Sequence, residues 1–259
     1  MSAGLPAQVW SVARRSIVRT LRQPAMVVPS LVFPLLLLAI NSGGLDSATE
    51  LPGFPTDSYL TFALAIAFVQ GGIFAANSAG TNLAADVETG FLNRLSLTPL
   101  RRTALLAGQL SGVMVLGLIQ AATFLVTGLV SGSGLEAGAA GIPVIAAMSV
   151  LITLGFAGVG AFVALRTGSG EAVQGIFPLL FAALFLSSFA LPRDLIEVDW
   201  FRELATWNPV SYMLEGIRSL LITGWDAEAL ALGFAAAGGL ALVTMIASGM
   251  ALRTAMTRT

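Results

Sequence analysis

The sequence predicts an all-α polytopic membrane protein, and three observations carry that prediction. Of 259 residues, 56% are hydrophobic and only 10% charged, with a mean hydropathy of +0.87, far from the balance of a water-soluble domain. Six apolar segments, at about 25–40, 58–79, 103–130, 138–165, 172–191 and 228–252, approach or exceed the length a bilayer core demands. The thirteen cations are all arginine and are divided unevenly between the two sides that these segments define. Arg14, Arg15, Arg19, Arg22, Arg94, Arg101, Arg102, Arg166, Arg253 and Arg258 fall on one side, and Arg193, Arg202 and Arg218 on the other. The positive-inside rule then predicts six spans in a single domain over 1–259, with both termini cytoplasmic and the cell membrane as the location.

Residues 7–23 come first. Trp10, Ala13, Ile17 and Leu21 form one helical stripe with Ser11, Arg14, Arg15 and Arg22 mostly opposite, the pattern of a helix lying in the membrane interface with its arginines among anionic headgroups. A cleaved signal peptide fits less well, because the basic region is long and Pro29 and Pro34 interrupt the apolar run that follows. The second span places Gln70, Ile73 and Asn77 on one face. These amides suit a neighbouring helix or a cavity rather than lipid, so both interhelical hydrogen bonds and substrate contact are open readings.

Residues 80–102 interrupt the apolar pattern with a polar island. Read as a helix, the island puts Val87, Phe91, Leu92 and Leu95 on one face and Asp86, Thr89, Asn93 and Ser96 on others. Asp86 and Glu88 are expected near its N-terminus, Arg94 near its end, and Pro99 stops it. This is a short amphipathic surface helix between two spans, on the cytoplasmic side. Gly108-x-x-x-Gly112 opens the third span and permits close approach of another helix. The turn 131–138 joins the third and fourth spans as an antiparallel pair.

On the fifth span Phe177, Phe181, Phe185 and Phe189 recur every four residues, a stripe that suits either a path for apolar substrates or packing against lipid or another subunit. The connection 192–227 is long and amphipathic. Leu195, Ile196, Trp200, Phe201 and Leu204 make a first short piece, and Asn208-Pro209 reads as a helix start, with Asn as cap and Pro in the first turn. Trp200, Trp207, Tyr212 and Trp225 fit an aromatic belt at the membrane surface.

Composition also excludes chemistry. Without cysteine or histidine there is no disulfide, thiol nucleophile, imidazole base or Cys/His metal site. Without lysine the chain has no phosphate-binding loop of the P-loop type. A net charge of −1 argues against a nucleic-acid partner. The span interiors hold no ionisable residue, which disfavours the alternative of an ion-coupled secondary transporter. A lipid-acting membrane enzyme would have to work with carboxylates alone.

Two motifs resemble those of ABC type-2 exporter permeases, with the drug-resistance exporters as the particular likeness. The first is Asp86-x-Glu88-x-Gly90 followed by Leu92, Arg94-Leu95 and Thr98-Pro99, similar to that family's cytoplasmic coupling helix. Asn93 stands where the family often has an acidic residue. The second is Asn208-Pro209-Val210-Ser211-Tyr212 followed by Arg218, similar to the short re-entrant external helices before the family's last span. The resemblance implies that residues 7–23 form an interfacial elbow helix. It also implies that Asp86, Val87, Glu88, Gly90, Phe91, Arg94, Leu95 and Pro99 contact a separate P-loop ATPase, which binds ATP and Mg. Two permease subunits would sit over two ATPases and export a hydrophobic or amphipathic drug, lipid or glycolipid, past Gln70, Asn77, Phe177, Phe181 and Phe185. No cofactor is expected on the chain itself, and it is not expected to be an enzyme.

Overall fold

A computed structural model describes residues 5–90 and 102–255, with side chains described for 10–90, 108 and 111–254. The described residues are helical throughout, joined by turns. In order they form α1 (Leu5–Leu21), α2 (Pro24–Gly44), a 3-10 turn (Asp46–Glu50), α3 (Tyr59–Glu88), α4 (Arg102–Val130) and α5 (Gly141–Thr167). Then follow α6 (Gly170–Gly175), α7 (Phe177–Phe185), a 3-10 turn (Arg193–Leu195), α8 (Asp199–Trp207), α9 (Pro209–Arg218), a π turn (Ser219–Thr223) and α10 (Ala227–Ala255). Among the described residues, five helices are long and apolar enough to cross a membrane: α2, α3, α4 from Ser111, α5, and α10 to Thr254.

The bundle is built around α3, whose residues from Thr61 to Ile73 are all buried. In lipid no hydrophobic force drives one apolar helix onto another, so association rests on close packing of small residues and on interhelical hydrogen bonds. The glycines supply the first. A Cβ on Gly160 of α5 would stand 1.9 Å from the Ala76 carbonyl oxygen of α3, and one on Gly72 would meet Ile152 and Phe156 at 2.9 Å. Gly108 and Gly112 of α4 make the close approach their spacing predicts. Their neighbour is α1, at Val12, Ser16 and Thr20. Hydrogen bonds supply the second: Thr244 and Ser248 of α10 donate to the Gly155 and Gly158 carbonyls of α5, at 3.1 and 3.0 Å.

Two expectations need correction. The segment 172–191 is not one long span: α6 and α7 together make an apolar stretch of only Gly170–Phe185, with a break at Ile176 and Pro178 in the first turn of α7. The ring of Pro178 and its missing N–H favour a fresh helix start there over continuation. Even so, this piece travels from one end of the bundle to the other. Val173 sits against Gly80 near the last turns of α3, while Ser188 and Phe189 meet Arg218 beside Phe62, near the first turn of α3. The second correction concerns the polar island. No new helix begins at Asp86; α3 runs unbroken for 30 residues to Glu88, so both acids lie in its last turns. Leu83, Ala84 and Ala85 are good helix formers with no proline before them in α3, and the chain leaves the helix only at Thr89 and Gly90, the latter at φ 65°. Phe91, Leu92, Asn93, Arg94, Leu95 and Pro99 lie outside the described residues.

Candidate coupling and transport sites

At the end of the bundle that carries α1, Asp86 turns inward. Its Oδ1 accepts from Arg19 Nη1 at 2.9 Å and Arg15 Nη2 at 3.3 Å, with the carboxylate 9% exposed and the two arginines 29% and 45%. A carboxylate at a helix C-terminus opposes the macrodipole, and these cations offset it. One turn earlier, Asn82 and Gln23 exchange both of their amide hydrogen bonds at 3.1 Å. A cavity of about 60 Å³ lies among these groups, closed by Val113, Leu116 and Ala161. Val87 packs on the cluster of Leu83, Ala84, Leu165 and Val173. Glu88 is exposed. The described coupling residues therefore divide: Asp86 and Val87 face the protein, and Glu88 faces out. The sequence held a signal for the ion cluster in Arg15 and Arg19, one helical turn apart, but not the identity of their partner.

Along the middle of the bundle the phenylalanine stripe of α7 meets α3 and α2. Phe74 of α3 has ring centroids 5.2 Å from Phe177, 6.3 Å from Phe181 and 5.6 Å from Phe33, and Phe33 in turn lies 5.9 Å from Phe181. Phe181, Phe185 and Phe189 continue the ladder at 6.2 and 5.1 Å, although Phe185 is half exposed. Gln70 and Asn77 sit one turn to either side of Phe74. Among the described residues neither polar atom of Gln70 has a hydrogen-bond partner, nor has Oδ1 of Asn77. Gln120 of α4 is a residue the sequence reading missed. It donates to the Gly71 carbonyl at 3.2 Å and leaves its own Oε1 without a partner.

At the opposite end, Asn208 caps α9 as its spacing predicts, Oδ1 accepting from Val210 N at 2.9 Å with Pro209 in the first turn. Its Nδ2 donates to the Ala183 and Leu186 carbonyls, which closes the C-terminus of α7. Arg218 is buried. It donates to the carbonyls of Phe62 (3.1 Å), Ser188 (2.6 Å) and Phe189 (2.9 Å), and its guanidinium carbon lies 3.5 Å from the Phe62 ring centroid. Burial pushes its pKa down, to about 9, with Glu215 and Tyr59 pulling the other way, so it remains cationic at neutral pH. Arg193 bonds Glu215 at 2.6 Å and stacks on Tyr212. Burial alone would lower its pKa, but the Glu215 carboxylate and Tyr212 outweigh burial and raise it. A cleft of about 410 Å³ opens beside Arg193, Glu215 and Arg218.

Long apolar helices with ionisable groups gathered at their ends, and amides and phenyl rings between, define a multi-pass membrane transport subunit. The sequence pattern of the ABC-2 type transporter family matches residues 7–222, and the chain belongs to that family: it is a membrane permease subunit of ABC transport, not itself an enzyme. Among its relatives is the daunorubicin resistance ABC transporter permease protein of Streptomyces coeruleorubidus, 29% identical over 203 residues that cover 76% of this chain and 67% of the relative. Two putative transport permeases are also similar. The one from Porphyra purpurea is 26% identical, covering 85% of this chain and 76% of the relative, and the one from Pyropia yezoensis is 28% identical, covering 85% and 75%.

Proposed function

We propose that the chain is the transmembrane half of an ATP-driven exporter that moves a hydrophobic or amphipathic compound out of the cytoplasm or inner leaflet. The observation that carries this reading is the placement of charge. In the five long helices every described ionisable side chain, Tyr59 included, lies within a few residues of a helix end, so the described bundle interior offers no group to bind and release a coupling proton. Energy must then enter from outside the chain, and the end that carries α1, Asp86 and Glu88 is where an ATPase would dock. That end is cytoplasmic in this reading, and α6 and α7 with the turn after them make a sixth crossing in the cell membrane. ATP and Mg belong to the partner, and a second copy or a related permease completes a two-plus-two complex.

The relative's name supports an amphipathic drug as cargo and makes daunorubicin the first compound to try. The test is reconstitution with the P-loop ATPase that co-purifies with the chain. ATP-dependent daunorubicin efflux from liposomes is expected, with no ATP hydrolysis by the chain alone. Transport driven by an ion gradient without ATP overturns the reading.

A further inference from the structure

We propose that the cleft beside Arg218 holds a zwitterionic phospholipid headgroup with a primary ammonium, its phosphate on Arg218 and its ammonium among Asp194, Asp226 and Glu228. All four residues line this cleft of about 410 Å³. The proposal goes beyond the exporter reading and takes from it only the leaflet, the outer one.

Arg218 is the innermost charge. It is only 6% exposed, yet it contributes to the wall of the cleft. A guanidinium has five N–H donors. Three of them go to the carbonyls of Phe62, Ser188 and Phe189, which leaves the others without an acceptor among the described residues. Arg218 also lacks a counter-ion there. The Glu215 carboxylate, one turn earlier on α9, is taken by Arg193 at 2.6 Å, and no described carboxylate forms an ion pair with Arg218. A buried cation with only carbonyls for partners is short of negative charge. Phosphate oxygens supply both that charge and the missing acceptors.

The rim has the opposite sign. Asp194, Asp226 and Glu228 are exposed and form no ion pair among the described residues. Asp226 caps α10 through Oδ1, which accepts from the N–H groups of Glu228 and Ala229 at 3.0 and 3.1 Å. With Arg193 and Glu215 cancelling, the cleft presents a cation inside and carboxylates outside. A simple anion is repelled by that rim, and a simple cation leaves Arg218 uncompensated. A zwitterion with its phosphate inward and its ammonium outward satisfies both. A primary ammonium fits better than a quaternary one, because its N–H groups donate to the carboxylates. The source is the bilayer rather than a free solute, since the cleft continues onto apolar surface: Leu232 of α10, 43% exposed, lines it. Trp225 stands exposed just before α10, at the headgroup depth where such residues gather.

The test is lipid binding to the delipidated full chain in detergent, read by native mass spectrometry. The probes are phosphatidylethanolamine, phosphatidylglycerol, diacylglycerol and free phosphoethanolamine. Phosphatidylethanolamine is expected to bind about tenfold more tightly than phosphatidylglycerol, whose net charge meets the acidic rim. Diacylglycerol, without the phosphate, and phosphoethanolamine, without the acyl chains, are expected to bind weakly. Combining Asp194→Asn, Asp226→Asn and Glu228→Gln removes the rim charge, while Asn at 226 keeps the α10 cap. The combined variant should bring the two phospholipids within about threefold of each other. A parent that binds both phospholipids alike, or binds diacylglycerol as well as phosphatidylethanolamine, overturns the proposal. So does a combined variant that keeps the parent's preference, and so does phosphoethanolamine binding as tightly as the lipid. None of these readouts needs ATP, so failure of ATP-driven efflux rejects the transport reading alone.

Discussion

The two ends of the bundle hold their arginines in opposite ways. At the α1 end, Arg15 and Arg19 are partly exposed and converge on one carboxylate, so the bond between α1 and α3 is ionic, reachable by water and tolerant of small displacements. At the other end Arg218 is buried and donates to three backbone carbonyls from two segments, a geometry that fixes distance and direction together. The comparison teaches where motion is permitted. Ion pairs to two cations that reach water let α1 shift a little against α3 while Asp86 keeps a partner, whereas displacing Arg218 strands a buried cation and the Ser188 and Phe189 carbonyls at once. We read the α1 end as the part that responds to a partner and the Arg218 end as the fixed frame.

Four substitutions break or sharpen that contrast. Arg218→Leu has the largest expected effect, a loss of at least about 3 kcal/mol, since it removes charged hydrogen bonds and leaves buried carbonyls unsatisfied. Thermal unfolding in detergent measures it, and Arg218→Lys should recover only part, because one ammonium cannot reach three diverging carbonyls. Asn208→Ala comes next, at about 1–2 kcal/mol, for the lost cap of α9 together with the closure of α7. Asp86→Asn should cost about 1 kcal/mol, a figure discounted for the exposure of its arginines, and less as salt is raised. Its effect on ATP-driven transport should exceed its effect on Tm, the reverse of Arg218→Leu; equal losses in both would erase the distinction between the ends. Glu88→Ala is the smallest, within about 0.5 kcal/mol of the parent, as for other exposed sites. In the exporter reading it weakens retention of the ATPase on a pull-down while membrane insertion stays intact. Glu136→Ala, in the turn between α4 and α5, is the control that should change neither.

Much of this was legible beforehand. Apolar run length gave the long helices, because a bilayer demands about 20 apolar residues of anything that crosses it. Asn208-Pro209 gave the start of α9, since a cap and a proline in the first turn act within one turn of the chain. Gly108 and Gly112 announced a close approach without saying to what. The reach of α3 was not legible. Whether Asp86 ends one helix or starts another depends on what neutralises it, and Arg15 and Arg19 lie 71 and 67 residues away in sequence. The phenylalanine stripe was equally ambiguous, because the same spacing serves lipid, a second subunit or a neighbour, and only the position of Phe74 and Phe33 decides.

The sequence by itself therefore determined the class of protein, the approximate ends of its long helices other than α3 and the cap at Asn208, all of which follow from local periodicity and from the free energy of placing each residue type in lipid or water. Only the tertiary structure decided that Asp86 faces α1 while Glu88 faces out, that Arg218 is buried among carbonyls, and that Gln70 is buried without a partner among the described residues. Those are properties of pairs of residues far apart in the chain, and their energies depend on distances that exist only once the helices have packed.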